Sequence, residues 1–181
     1  MDASDEELMR RVAQGNEPAF RLLAGRYAAR AIGLARRITG NDADADEVVQ
    51  EAFLRVWTNA PRWRPIASFG TWFYRIVLNL CLNRRRGPPL VAIEQAGDPP
   101  DPAANAAARM ESDEAGRQVA TAIQALPDRQ RAAIVLTYHE SFSNAEAATI
   151  LGVSVSALEA LLVRAKRTLR EQLGSLLRDD Q

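Results

Sequence analysis

The chain has 181 residues, of which 47% are hydrophobic and 25% charged, with equal numbers of basic and acidic side chains. This length suits one ordinary domain or two small ones, and the composition favours a helix-rich protein with packed cores. The single cysteine, Cys81, excludes an internal disulfide and any cysteine-based metal site. No apolar run is long enough to cross a membrane and the first residues are acidic, so we expect a cytoplasmic protein without membrane insertion.

The net charge of zero conceals an uneven distribution. Residues 1–86 contain 14 arginines against 10 acidic residues, residues 87–113 contain one against five, and residues 114–181 are balanced. Phosphate binding follows local charge, so nucleic acid is expected at the basic first part of the chain.

Four helices are predicted in residues 1–86. After a short first helix, Asn16 caps a second whose apolar stripe runs to a stop at Gly40. The third helix begins near Asp42 with several acids, where the helix dipole favours them. One side of this third helix carries acids and an amide around an exposed leucine, namely Glu47, Gln50, Glu51 and Leu54. This side is either a solvated face or a docking surface for a basic partner, and periodicity alone leaves both open.

The fourth helix follows a loop in the stretch PRWRPIASFGTWFYRIVLNLCLNRRR, with Ser68 as its expected N-cap. One face of this helix is apolar, and no acid occurs between Arg62 and Arg86. The other face mixes an aromatic ring, amides and arginines, namely Trp72, Arg75, Asn79, Asn83 and Arg86. Aromatic rings beside guanidinium groups suit single-stranded nucleic acid, because rings stack on unpaired bases and guanidinium groups hold phosphates. The alternative is a core helix whose basic end favours its own dipole.

Residues 87–113 contain five of the nine prolines and lack an apolar period, so they are predicted to form an extended linker. An acidic segment of this kind could also occupy a basic groove. Helices return from about Glu114, and one after Pro127 is expected to reach His139. Its apolar side would consist of Ile134, Val135 and Tyr138. His139, the only histidine, has no catalytic type of partner nearby and is expected to have a surface or packing role.

The stretch SNAEAATILGVSVSALEALLVRAKRTL predicts a helix-turn-helix, with a capping box at Ser143 and Glu146 and a turn at Gly152. The N-terminal part of the second helix would face base edges in the major groove. Outward-pointing candidates there are Ser154, Ser156, Glu159, Ala160 and Val163. Candidates for phosphate contacts are Arg164, Lys166, Arg167 and Arg170. Glu159 would be repelled by phosphates unless it meets a donor such as cytosine N4. The alternative is a solvated amphipathic helix.

Three stretches together resemble the extracytoplasmic-function sigma factors of bacterial RNA polymerase. They are DADEVVQEAFLRVW, then SFGTWFYRIVLNLCLNRRR, and after a variable linker LPDRQRAAIVLTYHESFSNAEAATILGVSVSALEALLVRAKRTLREQL. The resemblance covers nearly the whole chain, and the three sequence motifs in this order are highly specific for the family. It implies an all-α protein with a sigma-2-like bundle in residues 1–86, a linker in 87–113 and a sigma-4-like helix-turn-helix bundle in 114–181.

The resemblance implies a promoter-specificity subunit of RNA polymerase without catalytic activity or cofactor. The first bundle would dock on the polymerase clamp helices through Asp46, Glu47, Gln50, Glu51 and Leu54. The downstream promoter element would be held, with one base flipped, by Trp63, Ser68, Thr71, Trp72, Arg75, Asn79, Arg84, Arg85 and Arg86. The second bundle would read the upstream element and sit on the polymerase flap. An anti-sigma factor would hold the protein inactive by covering both bundles.

The chain departs from the family at Glu159 and Leu161, where many members carry Lys or Arg, and at Ala147, where many carry a bulkier residue. Two alternative functions are therefore left open. One is a sigma-like decoy that binds an anti-sigma factor without recognising promoters, and the other is a plain helix-turn-helix regulator. An enzyme is not expected, because the sequence has no phosphate-cradling glycine loop, metal-ligand cluster or nucleophile–base pair.

Overall fold

The computed structural model describes residues 3–86 and 114–179, and within these ranges the regular structure is helical, without strands. Helices α1 to α4 span Asp5–Val12, Glu17–Thr39, Asp42–Asn59 and Phe69–Arg86, with a 3₁₀ turn at Ala60–Arg62. Helices α5 to α8 span Glu114–Gln124, Asp128–Ile134, Asn144–Leu151 and Val155–Asp179, with a π-helical turn at Val135–His139. The predicted all-α class with two helical bundles is confirmed. The predicted linker, residues 87–113, lies outside the described residues.

Local capping signals set the ends of the first helices. The side chain of Asn16 accepts a hydrogen bond from the backbone N–H of Ala19 at 2.9 Å. The hydroxyl of Ser68 accepts from the backbone N–H of Thr71 at 3.1 Å. Gly40 ends α2 with φ +73°, a left-handed conformation that side chains disfavour. All three predicted boundaries are therefore present.

An aromatic cluster holds the first bundle together. Phe69 and Phe73 of α4 are fully buried, and their stacked rings have centroids 5.7 Å apart. Tyr27 of α2 packs edge-on against Phe69 at 5.0 Å and donates its hydroxyl hydrogen to Asp5, which ties α1 to the bundle. Aromatic pairs of this kind contribute about 0.5–1.5 kcal/mol each beyond the area they bury. The rigid packing behind α4 fixes the direction of its polar face.

The second bundle contains the predicted helix-turn-helix. The Ser143 hydroxyl accepts from the backbone N–H of Glu146 at 3.3 Å, and the Glu146 carboxylate accepts from the backbone N–H of Ser143 at 2.9 Å. Gly152 makes the turn with φ +70°, and Ser154 caps α8 by accepting from the N–H of Ala157 at 3.2 Å. Helices α7 and α8 meet at 95°. The capping residues and the turn glycine are therefore where the sequence predicted them.

A π-helical turn changes the inward face after α6. The N–H of Glu140 donates to the carbonyl of Val135 at 2.9 Å, one residue further back than in an α-helix. Leu136 is consequently buried, whereas Tyr138 is 54% exposed and has Lys166 Nζ 4.8 Å from its ring centroid. The prediction of Tyr138 as an inward residue was wrong, because a π turn shifts the register that a 3.6-residue period assumes.

The two bundles pack directly against each other, with α4 against α7 and α2 against the π turn. Arg131 of α6 donates from Nη1 to the carbonyl of Ile38 at 3.0 Å. Gln124 of α5 donates from Nε2 to the carbonyl of Arg37 at 2.6 Å. The sequence left the relative arrangement of the bundles open, and the structure has a closed arrangement in which α7 covers part of α4.

Candidate nucleic-acid and polymerase interface

A groove beside the loop before α4, called here the Trp63 groove, brings the predicted aromatic and basic residues together. Trp63 packs against Trp72 with ring centroids 6.1 Å apart and against buried Phe69 at 6.5 Å. Both indoles are half-buried, so packing fixes one side while the groove exposes the other. The groove volume is about 670 Å³, within the range of small-ligand sites. Its lining residues are Arg55, Asn59, Arg62, Trp63, Arg64, Ile66, Ala67, Thr71, Trp72, Arg75, Ile76 and Thr149.

The electrostatic character of the Trp63 groove is basic. Its lining includes four arginines, and no carboxylate is present among the described residues that form its wall. Arg75 and Asn79 are both exposed on the outward side of α4. Guanidinium groups placed this way attract phosphates, and the exposed indole surfaces can stack on bases.

The hydroxyl groups at the start of α4 have a structural role. Ser68 Oγ caps the helix and lies 2.9 Å from Thr71 Oγ1, so both hydroxyls are engaged with each other. Ile66, which was not among the predicted site residues, is 95% exposed and lines the same groove. Its only sequence signal was an isoleucine in a loop flanked by proline and alanine.

The structure separates the three consecutive arginines at the end of α4. Arg84 donates from Nε to Asp44 at 2.9 Å and from Nη2 to Glu47, and these hydrogen bonds raise the pKa of its guanidinium. Arg85 pairs with Asp128 of the second bundle at 2.8 Å. Arg86 is exposed at the last residue of the helix. The run predicted as one phosphate-binding cluster therefore points in separate directions.

The predicted polymerase-binding side chains share one side of α3, called here the docking face. Asp46, Glu47, Gln50 and Leu54 are exposed there, and Glu51 is half-buried. A shallow groove of about 570 Å³ runs between this face and α4. Leu54 is 57% exposed and is the apolar member of this otherwise polar face. Glu51 pairs with Arg55 at 2.9 Å, and Glu47 pairs with Arg84.

The predicted recognition residues all lie on the exposed side of α8. Ser154, Ser156, Glu159, Arg164, Lys166 and Arg167 are exposed. The hydroxyls of Ser154 and Ser156 lie 3.1 Å apart, and Ser154 also caps the helix. Val163, 69% exposed, lies among them. The arrangement presents a basic, outward helix face, with the carboxylate of Glu159 near its start.

Sequence reasoning missed the residues that join the two bundles. The buried carboxylate of Glu140 accepts from Arg30 Nε at 2.9 Å and from Arg37 Nη1 at 3.3 Å. Thr149 of α7 lines the Trp63 groove although it belongs to the second bundle. No short-range pattern links residues so far apart in the chain, so the sequence offered no signal for them.

The part of the chain that the structure describes holds no group of three or more His, Cys, Asp or Glu that could bind a metal ion. Burial raises the pKa of the Cys81 thiol to about 12, so this cysteine is a packing residue. Within residues 3–86 and 114–179 no single helix is long and apolar enough to span a membrane. Helices α7 and α8 taken together are long and apolar enough, but they are bent by 95° and meet the requirement by length and composition only.

Comparison with known proteins gives the family of the chain. Two family models match it, "Sigma-70 region 2" over residues 23–87 and "Sigma-70, region 4" over residues 116–169. Together they cover more than half of the chain, one in each helical bundle. The Trp63 groove and the docking face lie in the first matched range, and the helix-turn-helix lies in the second.

Relatives and solved structures agree with the family models. The chain is 33% identical to the ECF RNA polymerase sigma factor SigM of Mycobacterium tuberculosis, over 97% of this chain and 87% of SigM. It resembles CnrH, solved in complex with the cytosolic domain of CnrY, with a TM-score of 0.71, 28% identity and coverage of 99% and 100%. The sigma factor RpoE of Bartonella quintana, solved with the anti-sigma factor NepR, shares the fold, with a TM-score of 0.63, 21% identity and coverage of 86% and 96%. The chain therefore belongs to the extracytoplasmic-function sigma factors of RNA polymerase.

Proposed function

We propose that this sigma factor helps core RNA polymerase to open promoters by capturing unpaired bases of the downstream element in the Trp63 groove. The observation that carries the proposal is the composition of that groove, two half-buried indoles among four arginines. Stacking of a base on an aromatic ring contributes about 1–3 kcal/mol and is available only to unstacked bases. Capture therefore favours melted over paired DNA without nucleotide hydrolysis, and we propose that the chain acts without catalysis or cofactor.

The strand next to the captured base would lie along the outward side of α4. Arg75, Asn79 and Arg86 are the exposed groups best placed to contact its phosphates and sugars. Arg85 would join them once its contact with Asp128 is broken. We assign Arg84 a supporting role, because it is held by two carboxylates of α3.

Helix α8 would read the upstream promoter element. Arg164, Lys166 and Arg167 are proposed to hold phosphates, while Ser156 and Glu159 near the helix start would face base edges. The carboxylate of Glu159 is proposed to accept a hydrogen bond from cytosine N4, since a carboxylate has no donor for a purine N7 or O6.

The docking face of α3 is proposed to bind the clamp helices of core polymerase, and the second bundle to sit on the flap. Exposed Leu54 would supply the apolar contact, with Asp46 and Gln50 as polar contacts around it. We place the sigma-2-like domain at residues 1–86 and the sigma-4-like domain at 114–181, joined by a linker at 87–113. We also propose a cytoplasmic site of action, because core polymerase is the partner.

We propose that an anti-sigma factor controls the chain. The similarity to CnrH, which was solved with the cytosolic domain of CnrY, supports a protein partner of this kind. A decoy that binds only an anti-sigma factor is not favoured, because it would have no use for a basic groove with two indoles. Family membership across both bundles likewise disfavours a plain helix-turn-helix regulator.

The test is run-off transcription with core polymerase on a genomic promoter library, comparing the wild type with the Trp63→Ala, Arg75→Ala double variant. Promoter-specific transcripts should appear with the wild type and disappear with the variant, while both bind core polymerase equally. Arg21→Ala, which changes an exposed arginine of α2 outside the groove, is the matched control and should transcribe normally. Core binding by the wild type without any specific transcript would contradict the proposal.

A further inference from the structure

The contact between the bundles is centred on one buried carboxylate. Glu140, at the end of the π turn, is 6% exposed. Its carboxylate accepts from Arg30 Nε at 2.9 Å and Arg37 Nη1 at 3.3 Å, and its backbone carbonyl accepts from Arg30 Nη2. Both arginines belong to α2 of the first bundle. The acid of one bundle is thus held between two bases of the other.

Aromatic rings from both bundles complete this contact. The guanidinium carbon of Arg30 lies 4.4 Å from the ring centroid of Phe142 and 5.3 Å from that of Tyr74. The two rings pack edge-on at 5.2 Å. Tyr74 comes from α4 and Phe142 from the loop before α7, so each bundle supplies one face. Burial raises the pKa of the Tyr74 hydroxyl to about 12, which keeps it neutral in this apolar setting.

In the closed arrangement the helix-turn-helix borders the Trp63 groove. Thr149 of α7 forms part of the groove wall. A methyl group added at Gly152, in the turn between α7 and α8, would lie 3.7 Å from Nη2 of Arg75. A DNA strand running from the groove along the outward side of α4 would meet α7 at this point. The strand and the helix-turn-helix therefore compete for the same side of α4.

The docking face is not covered in the same way. Every described residue that lines its groove, from Glu47 to Arg84, belongs to the first bundle. Leu54 stays 57% exposed while the bundles are packed together. Core polymerase can therefore reach this face in the closed chain, whereas promoter DNA cannot reach the whole of α4.

We propose that the contact of Glu140 with Arg30 and Arg37 is an intramolecular latch that blocks the path of a DNA strand from the Trp63 groove along α4 in the free chain, so that core polymerase binds before promoter DNA. The proposal rests on the proposed function, because it takes the groove as the site of the promoter strand. Polymerase would open the chain by binding the two bundles at separate places. Contacts between domains are commonly small enough to be exchanged in this way.

The test compares four chains: wild type, Glu140→Ala, the Arg30→Ala, Arg37→Ala double variant, and Glu171→Ala as control. Glu171 is an exposed acid of α8 outside the contact. Small-angle X-ray scattering gives the radius of gyration of each free chain. Fluorescence anisotropy gives the affinity for a labelled oligothymidylate of about 12 nucleotides, a length suited to sequence-tolerant stacking. Circular dichroism checks folding, and the double variant removes the latch from the other bundle if Glu140→Ala misfolds.

Both latch variants should have a larger radius of gyration than wild type and bind the oligothymidylate about tenfold more tightly, because apparent affinity rises with the open fraction. Glu171→Ala should match the wild type, whereas both latch variants should also bind core polymerase more tightly, because polymerase no longer has to break the contact between the bundles. Combining Glu140→Ala with the double arginine variant should add little, since both remove the same contact.

Variants that stay as compact as wild type, or a wild type that is already as extended as they are, would overturn the latch. Expansion without a gain in oligothymidylate binding would overturn the claim that the closed arrangement blocks the strand path along α4. A failure of the proposed function is recognised separately, by promoter-specific transcription that survives the Trp63→Ala, Arg75→Ala substitution.

Discussion

The carboxylate of Glu140 lies 2.9 Å from Nε of Arg30, although the two residues are 110 positions apart and belong to different bundles. The carboxylate side chain is only 5% exposed, so water cannot readily replace its arginine partners. Losing one member of such a pair leaves the other desolvated and uncompensated. The closed arrangement therefore depends on a specific polar match as well as on apolar packing.

Arg131 is expected to be a main source of stability in the second bundle. It is 1% exposed, and burial lowers the pKa of its guanidinium to about 10. The backbone carbonyls that accept from it around the α5–α6 turn are those of Ile123 (3.1 Å), Leu126 (2.8 Å) and Gln124. Arg131→Met would remove the charged donor that these carbonyls share and should lower the free energy of unfolding by about 2–4 kcal/mol.

Urea unfolding followed by circular dichroism measures this loss. The control is Arg129→Met, the same exchange at an exposed neighbour, which should change the free energy of unfolding by less than about 0.5 kcal/mol. Equal effects at the two positions would show that the buried hydrogen bonds of Arg131 contribute nothing beyond the bulk of its side chain.

Cys81 should be unreactive in the native chain. Its side chain is fully buried in the first bundle, and burial raises the pKa of the thiol to about 12. Because the thiolate is the reactive form, the aromatic disulfide reagent DTNB at pH 8 should modify native protein at least about 100-fold more slowly than protein in urea. Rapid reaction of one thiol per chain without denaturant would mean that the core around α4 opens readily.

The capping box at Ser143 should stabilise the helix-turn-helix. Ser143→Ala removes the acceptor for the first turn of α7 and should cost about 1 kcal/mol, whereas Ser143→Thr should restore most of it. Hydrogen bonds from Ser143 hold the pKa of the Glu146 carboxyl below its ordinary value of 4.5. A carboxyl group whose pKa is lower in the folded than in the unfolded chain stabilises the fold at pH values above its ordinary pKa. This contribution disappears as the pH falls through the lowered pKa of the folded state.

Thermal unfolding of wild type and Ser143→Ala between pH 3 and pH 7 tests this prediction. The difference in stability should be largest near pH 7 and shrink below about pH 4.5 as Glu146 is protonated. A difference that stays constant across this range would assign the whole effect to the serine hydroxyl and none to the carboxylate.

Local chemistry explains what could be predicted from the sequence. Asn16, Gly40 and Gly152 act on backbone within a few residues of themselves, so their roles could be inferred without knowing the rest of the fold. The two indoles of the Trp63 groove were also predictable, because they flank one helix start. Tyr138 was misplaced since a single π turn shifts the register, and no periodic pattern reveals such a turn in advance.

Pairing across the chain explains what could not be predicted. The run at the end of α4 looked like one basic cluster, yet Arg84 pairs with α3 and Arg85 with α6. The contacts of Glu140 likewise require knowledge of how two bundles meet. A sequence shows which side chains are charged, but not which opposite charge tertiary packing brings within 3 Å.

Arg75 and Arg84 should differ in how they affect the salt dependence of promoter binding. Arg75 is exposed in the Trp63 groove, whereas Arg84 is already neutralised by Asp44 and Glu47. Loss of one contact to a single-stranded phosphate lowers the slope of log affinity against log salt by about 0.7. We expect this change for Arg75→Ala in the polymerase holoenzyme and an unchanged slope for Arg84→Ala, measured across a potassium chloride series. Equal changes would show that Arg84 leaves its carboxylates to bind DNA.

Leu54 and Leu22 offer a matched test of the docking face. Their side chains are 57% and 58% exposed, on α3 and α2 respectively, so truncation to alanine removes similar exposed surface at each. Only Leu54 lies beside Glu47 and Gln50 in the groove between α3 and α4. Leu54→Ala should weaken binding to core polymerase by about 1–2 kcal/mol, a size typical of a central interface residue, and Leu22→Ala should have no effect.

Biolayer interferometry with immobilised core polymerase measures both affinities directly. Promoter DNA is left out, so the result does not depend on the Trp63 groove, and the latch affects both variants equally because each keeps Glu140, Arg30 and Arg37. Thermal unfolding of each variant shows whether a weaker affinity reflects lost structure. If Leu22→Ala weakens binding as much as Leu54→Ala, polymerase must contact α2 as well, and the docking face would have to be extended around the bundle.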